Sequence, residues 1–131
     1  MRILITGSRD WTDRMAIMRE IVRLQEEFAP IQPGQYDYHC EGWVFVHGAC
    51  PTGADAMADE FVVESWLNVE RHPADWKTHG KGAGFKRNAE MVRLGADVCL
   101  AFIKNGSKGA THTADLAEKA GIPVRRFTQE A

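Results

Sequence analysis

Three short loops in this sequence carry residue types suited to holding an anion. They are Gly7-Ser8-Arg9-Asp10, His47-Gly48-Ala49-Cys50-Pro51-Thr52-Gly53-Ala54-Asp55, and Asn105-Gly106-Ser107-Lys108-Gly109-Ala110-Thr111. Each combines small residues with hydroxyl or cationic ones, and each opens a stretch with helical spacing. Glycine lets the backbone approach a phosphate closely, and a helix start offers unpaired N–H groups at the positive end of its dipole. A capped strand-to-helix turn uses the same residues, with Thr12, Thr52 or Asp55, and Ser107 or Thr111 as caps. Three such loops on one edge of a sheet are a stronger signal than any one of them.

Other side chains join these loops. Arg9 stands just past the first strand, where its fork of donors can clamp a phosphate or carboxylate; a surface pair with Asp10 or Asp13 is the plainer alternative. Arg87 and Asn88 fall in the first turns of a helix, a cation beside a neutral amide, which suits a phosphoribosyl group. Trp76, in a polar stretch, either stacks on a base or covers an apolar edge. Asp55 reads as a helix-start carboxylate, favourable there without any catalytic role. His47, His72, His79 and His112 lack ligand spacing, so no metal site is expected. The three cysteines, Cys40, Cys50 and Cys99, form no Cys-x-x-Cys pair and read as reduced thiols, Cys99 in the core. Neither Gly-x-Gly-x-x-Gly nor Gly-x-x-x-x-Gly-Lys-Ser/Thr is present, which disfavours a standard dinucleotide fold and a P-loop.

The elements that position these loops alternate. An apolar run at 2–6 reads as a buried parallel strand, followed by a helix from about Trp11 to Phe28 with Met15, Met18, Ile17, Ile21 and Leu24 on its apolar stripe. Residues 29–42 form a long irregular connection. A second strand at 43–47 leads to a helix from about Ala54 to Leu67, with Phe61, Ser65 and Trp66 on its inner face. A short strand at 68–72 precedes a polar stretch at 74–82 and a helix from about Ala83 to Leu94. A strand at 97–103, a helix to about Ala120 and a strand at 123–127 complete the chain. This is the pattern of an α/β fold: a Rossmann-like open parallel sheet of about five strands with helices on both faces, in the order 3-2-1-4-5. Ligands of such sheets bind beyond the carboxyl ends of the strands, where the order reverses.

At 131 residues the chain fits a single domain with a real core. Its 44% hydrophobic and 26% charged residues are ordinary for a globular protein, and its formal charge of -2 provides no global attraction to nucleic acid or an anionic membrane. No apolar run has the length of a membrane span, and Met1-Arg2-Ile3-Leu4-Ile5-Thr6-Gly7 reads as a strand and not a leader, so a cytoplasmic setting is expected.

Taken in order, Gly7-Ser8-Arg9, His47-Gly48-x-Cys50-x-x-Gly53-Ala54-Asp55-x-x-Ala58, Pro73-x-x-Trp76 and Gly80-x-x-Ala83-Gly84-x-x-Arg87-Asn88-x-x-Met91 resemble the SLOG superfamily, in its YspA/YpsA-related branch of bacteria and phages. The resemblance runs from Met1 to about Phe127. It implies one Rossmann-like domain over 1–131 that binds or senses a nucleotide-derived small molecule, with no cofactor, and it implies a homodimer. The ligand-binding set it supports is Gly7, Ser8, Arg9, Gly48, Gly53, Asp55, Trp76, Arg87, Asn88, Gly106, Ser107, Gly109 and Thr111. Two alternatives come from relatives. Lonely Guy-type phosphoribohydrolases pair an arginine, similar in place to Arg87, with a glutamate; here that position is Thr113, with Asp115 two residues on. Arg87 and Asp115 are therefore the candidate catalytic residues, and loss of the carboxylate favours binding over hydrolysis. DNA-processing protein A implies a groove for single-stranded DNA, which Arg9, Lys77, Lys81, Lys86, Arg87, Lys104 and Lys108 could line, against the acidic balance of the chain.

Overall fold

The computed structural model describes residues 1–130. Its five strands are β1 (Arg2–Gly7), β2 (Val44–His47), β3 (Asn68–Arg71), β4 (Val98–Lys104) and β5 (Val124–Gln129). They form one all-parallel sheet in the order β3-β2-β1-β4-β5. The helices are α1 (Arg14–Phe28), α2 (Gly53–Glu64), α3 (Trp76–His79), α4 (Ala83–Leu94) and α5 (Lys108–Lys119), with a 3-10 turn at Gly80–Gly82.

Strand alternation sorts the core into two layers. Ile3, Ile5, Phe45, Leu100 and Phe102 point to one face, where Ile17, Ile21 and Leu24 of α1 and Ala54, Ala58 and Val62 of α2 cover them. Leu4, Val46 and Cys99 point to the other, under Met91 and Val92 of α4 and Ala117 of α5. Ala101 and Ile103 meet Ala110 and Ala114 on that second face, and this run of alanines lets α5 lie close on the sheet. Each such buried Ile or Leu contributes about 1.5–3 kcal/mol. Burial pushes the Cys99 thiol up to about 12, as befits a core residue.

From β1 the chain steps outward through β2 to β3, then returns to β4 on the other side of β1. That reversal leaves a crevice between the carboxyl ends of β1 and β4. Arg2 reaches across β2 to Glu70 at 2.9 Å. With His72 it holds the Glu70 carboxyl down to about 2.

Several boundaries differ from the sequence expectation, each for a local reason. The first helix begins at Arg14, not Trp11, because Asp13 caps it by accepting the Ala16 N–H at 3.1 Å. Trp11 instead folds under the loop, its indole N–H on the Asp13 carbonyl at 2.8 Å and its ring edge-on to Phe102. The buried stripe of α1 is Ile17, Ile21 and Leu24, whereas Met15 and Phe28 are exposed. The second helix stops at Glu64. Trp66 takes the left-handed conformation (φ 59°), and the Leu67 and Trp66 N–H groups close on the Val62 and Val63 carbonyls, a Schellman ending that turns Trp66 out to solvent. The polar stretch 74–82 contains α3, capped by Asp75 on the Thr78 N–H at 3.2 Å. Residues 29–42 carry no helix or strand.

Candidate functional site

A cleft of about 510 Å³ opens at the β1/β4 crevice. All three small-residue loops reach it, through Gly7, Arg9 and Asp10, through Gly48, Cys50 and Asp55, and through Asn105, Ser107, Gly109 and Ala110. The fourth wall is α3, the 3-10 turn and α4, with Trp76, Lys81, Gly84, Phe85, Arg87, Asn88 and Met91. Four of the lining side chains are cationic, Arg9, Lys81, Arg87 and Lys104, against the carboxyls of Asp10 and Asp55. The local balance is basic although the chain is acidic.

Arg87 is built into the floor. Its Nε donates to Asn88 Oδ1 at 2.8 Å, and its Nη1 donates to the Gly48 carbonyl and, at 3.3 Å, to the His72 carbonyl. These bonds fix the guanidinium plane while Nη2 has no hydrogen bond within the described residues. Burial lowers the Arg87 pKa, offset by the Asp55 carboxyl nearby. Gly48 leaves the space for this packing, since a Cβ there would lie 2.6 Å from Nη1 and the Arg87 guanidinium would have to leave its anchors. Gly53 has φ +72°, and a Cβ on it would run into the Ser8 carbonyl.

The turn between these glycines is braced from behind. The His47 ring, 3% exposed, accepts the Ala49 N–H on Nδ1 at 2.9 Å and donates from Nε2 to Asp59 at 2.7 Å. That pattern selects the tautomer with its proton on Nε2 and leaves neither nitrogen for a ligand or for Cys50. Arg71 grips the same Asp59 at 2.6 Å and, with His47, lowers its pKa. Ala49 sits at φ 57°, a strained position for a non-glycine residue that this network holds in place.

On the opposite rim Arg9 lies over Trp76, 5.8 Å from the ring centroid. Asp13 is occupied in capping α1, and among the described residues Arg9 forms no ion pair with it or with Asp10. The start of α5 lines the cleft through Ser107 and Gly109, and the Ser107 side chain makes no capping bond, so the first N–H groups of the helix have no side-chain cap.

The remaining sequence candidates lie elsewhere. Ser8 is 1% exposed, and its Oγ accepts the Lys104 N–H at 2.7 Å, joining the ends of β1 and β4 beneath the cleft. Gly53, Gly106 and Thr111 do not line the cavity. Thr113 is wholly buried with its hydroxyl on the Gly109 carbonyl at 3.3 Å. Asp115 is exposed and paired with Arg126 at 2.9 Å, outside the cleft lining. Conversely, Phe85 lines the cleft without having been singled out, and Asp10, expected only as a loop residue or a partner of Arg9, lines it too. Phe85, 48% exposed, packs edge-on against His112, and the spacing Gly84, Asn88, Met91 marks the face of α4 it borders.

Comparison with known proteins gives a family. Residues 1–79 match the model described as the YspA, cpYpsA-related SLOG family. The matched stretch holds the first two loops and Trp76 but ends before Arg87. The Gene 61 protein of Mycobacterium phage D29 is 46% identical over 131 residues, covering 96% of this chain and 95% of that one. No solved structure matches.

Proposed function

Because the chain belongs to the YspA, cpYpsA-related SLOG family, we propose that its cleft binds a nucleotide-derived small molecule carrying a phosphoribosyl group. The observation that carries this reading is the convergence of a basic rim, the uncapped start of α5 and a half-exposed tryptophan on one cleft. In this reading the phosphate meets Arg9, Lys104 and the first N–H groups of α5. The sugar lies along Arg87 and Asn88 beside the Gly48 turn, and the base rests against Trp76.

Binding without turnover is preferred. The position where hydrolytic relatives carry a glutamate is Thr113, sealed in the core, and Asp115 is engaged by Arg126. Thermal-shift screening against nucleoside mono- and diphosphates, cyclic nucleotides and ADP-ribose derivatives tests the proposal. A ligand that raises the melting temperature of the parent but not of Arg87→Ala supports it, and a silent panel overturns it. Chromatographic release of free base from a monophosphate would replace binding by hydrolysis. Salt-sensitive retardation of single-stranded DNA with a silent nucleotide panel would favour a DNA groove.

A further inference from the structure

Asp55 is the one carboxyl of the cleft that is buried, 6% exposed in the first turn of α2. Its two oxygens are treated differently. Oδ2 accepts the Cys50 N–H at 3.3 Å, whereas Oδ1 is closed off from bulk water and has no hydrogen-bond partner among the described residues. A buried acceptor left unmatched is costly, and folds keep few of them. Here the unmatched oxygen belongs to a residue that lines a cavity, on the wall occupied by the Arg87 guanidinium. Arg87 directs its anchored donors to carbonyls and Asn88 and not to Asp55, and the Gly48 N–H, which with that of Cys50 favours the charged carboxylate, closes no hydrogen bond on Oδ1.

The missing partner is therefore a hydrogen-bond donor brought by the ligand. Arg9, Lys104 and the uncapped start of α5 lie on the β1, β4 and α5 side, while the unmatched acceptor lies on the α2 side beside Arg87. A molecule anionic at one end and rich in hydroxyl donors next to it matches that polarity. We propose that Asp55 accepts a hydrogen bond from a ribose hydroxyl of the bound nucleotide, so that the cleft selects ribonucleotides over deoxyribonucleotides. This inference rests on the nucleotide-binding reading above and adds to it the acceptor that reads a hydroxyl of the sugar.

The test is titration calorimetry of the full chain with adenosine and guanosine 5′-monophosphates, each as the ribo, 2′-deoxy and 3′-deoxy form. The parent is expected to bind at least one deoxy form about 10- to 100-fold more weakly than its ribo counterpart, the range for a hydrogen bond to a charged group. Asp55→Asn keeps an oxygen for the Cys50 N–H and replaces the other by an amide donor. It is expected to bind the ribo form only as well as the parent binds that deoxy form, as is Asp55→Ala, with deoxy binding little changed. Equal binding of all three sugars by the parent overturns the inference while the nucleotide-binding reading stands. A folded Asp55→Asn that still discriminates also overturns it. A preference that follows the exocyclic amine, seen by comparing adenosine with inosine 5′-monophosphate, would assign the oxygen to the base instead. Failure of every nucleotide to bind overturns both readings together.

Discussion

Arg87 does two jobs with one guanidinium. Nε and Nη1 hold Asn88, the Gly48 carbonyl and the His72 carbonyl, and Nη2 is left for the cleft. Arg87→Ala should therefore cost stability as well as binding. We expect a loss of about 1–3 kcal/mol in urea denaturation, because two carbonyls and an amide lose a donor. The ligand-induced thermal shift should vanish at the same time. Arg87→Lys should restore part of the charge but not the binding, since an ammonium cannot reproduce three bonds in one plane. Asp55 gives a prediction of opposite sign. Burial raises its pKa above the ordinary 3.8. Below 3.8 the carboxyl is neutral in both folded and unfolded chains and adds no penalty. As pH rises through the elevated folded value, the folded state must bear a buried charge and loses stability. Asp55→Asn should thus melt higher than the parent at neutral pH, and the gap should close as the pH falls toward 4. A variant that melts lower throughout would mean that the carboxylate is a net structural asset.

At the scale of elements, the cleft depends on holding the ends of β1 and β4 together while their loops diverge. Ser8 does this from beneath, through its hydroxyl on the Lys104 N–H. Ser8→Ala leaves that N–H without its partner and should lower stability by about 1–3 kcal/mol, measured by chemical denaturation. Ser8 also shows where sequence reading reaches its limit. A small hydroxyl residue after a strand, before an arginine, has the composition of a phosphate loop, yet its orientation follows from the register of β1 against β4, a pairing about a hundred positions apart. The alternation of apolar runs and helical spacing was enough to place every strand, because strands follow from local periodicity; the order of the sheet rested on the Rossmann-like expectation, since handed crossovers also permit 2-1-3-4-5. Helix ends were less legible. Trp11 and Trp66 both sit at helical spacing, and what removes them from the helices is a cap at Asp13 and a Schellman turn at Trp66. The loops were legible as a set, and so was Arg87. The empty acceptor on Asp55 was not, since nothing local distinguishes it from an ordinary helix-start carboxylate.

For the molecule as a whole, charge is segregated. The chain carries a formal -2, yet its cleft gathers Arg9, Lys81, Arg87 and Lys104. An anionic ligand is repelled weakly at a distance and attracted at the opening, so salt should act mainly on its arrival. Raising ionic strength from about 0.01 M to about 0.15 M shortens the screening length from about 30 Å to about 8 Å. Stopped-flow association rates should fall several-fold over that range while dissociation rates change little. The tryptophans make such an experiment feasible without a label. Trp11 and Trp43 are sealed in the core and Trp66 stands in open solvent, so none of the three borders the cleft. Trp76 alone does, half-exposed beneath the Arg9 guanidinium. A base arriving on that ring would quench its emission and displace the cation above it, and Trp76→Phe should leave a protein whose fluorescence is blind to the ligand. The same indole that shapes the opening is thus an intrinsic optical probe of whether it is filled.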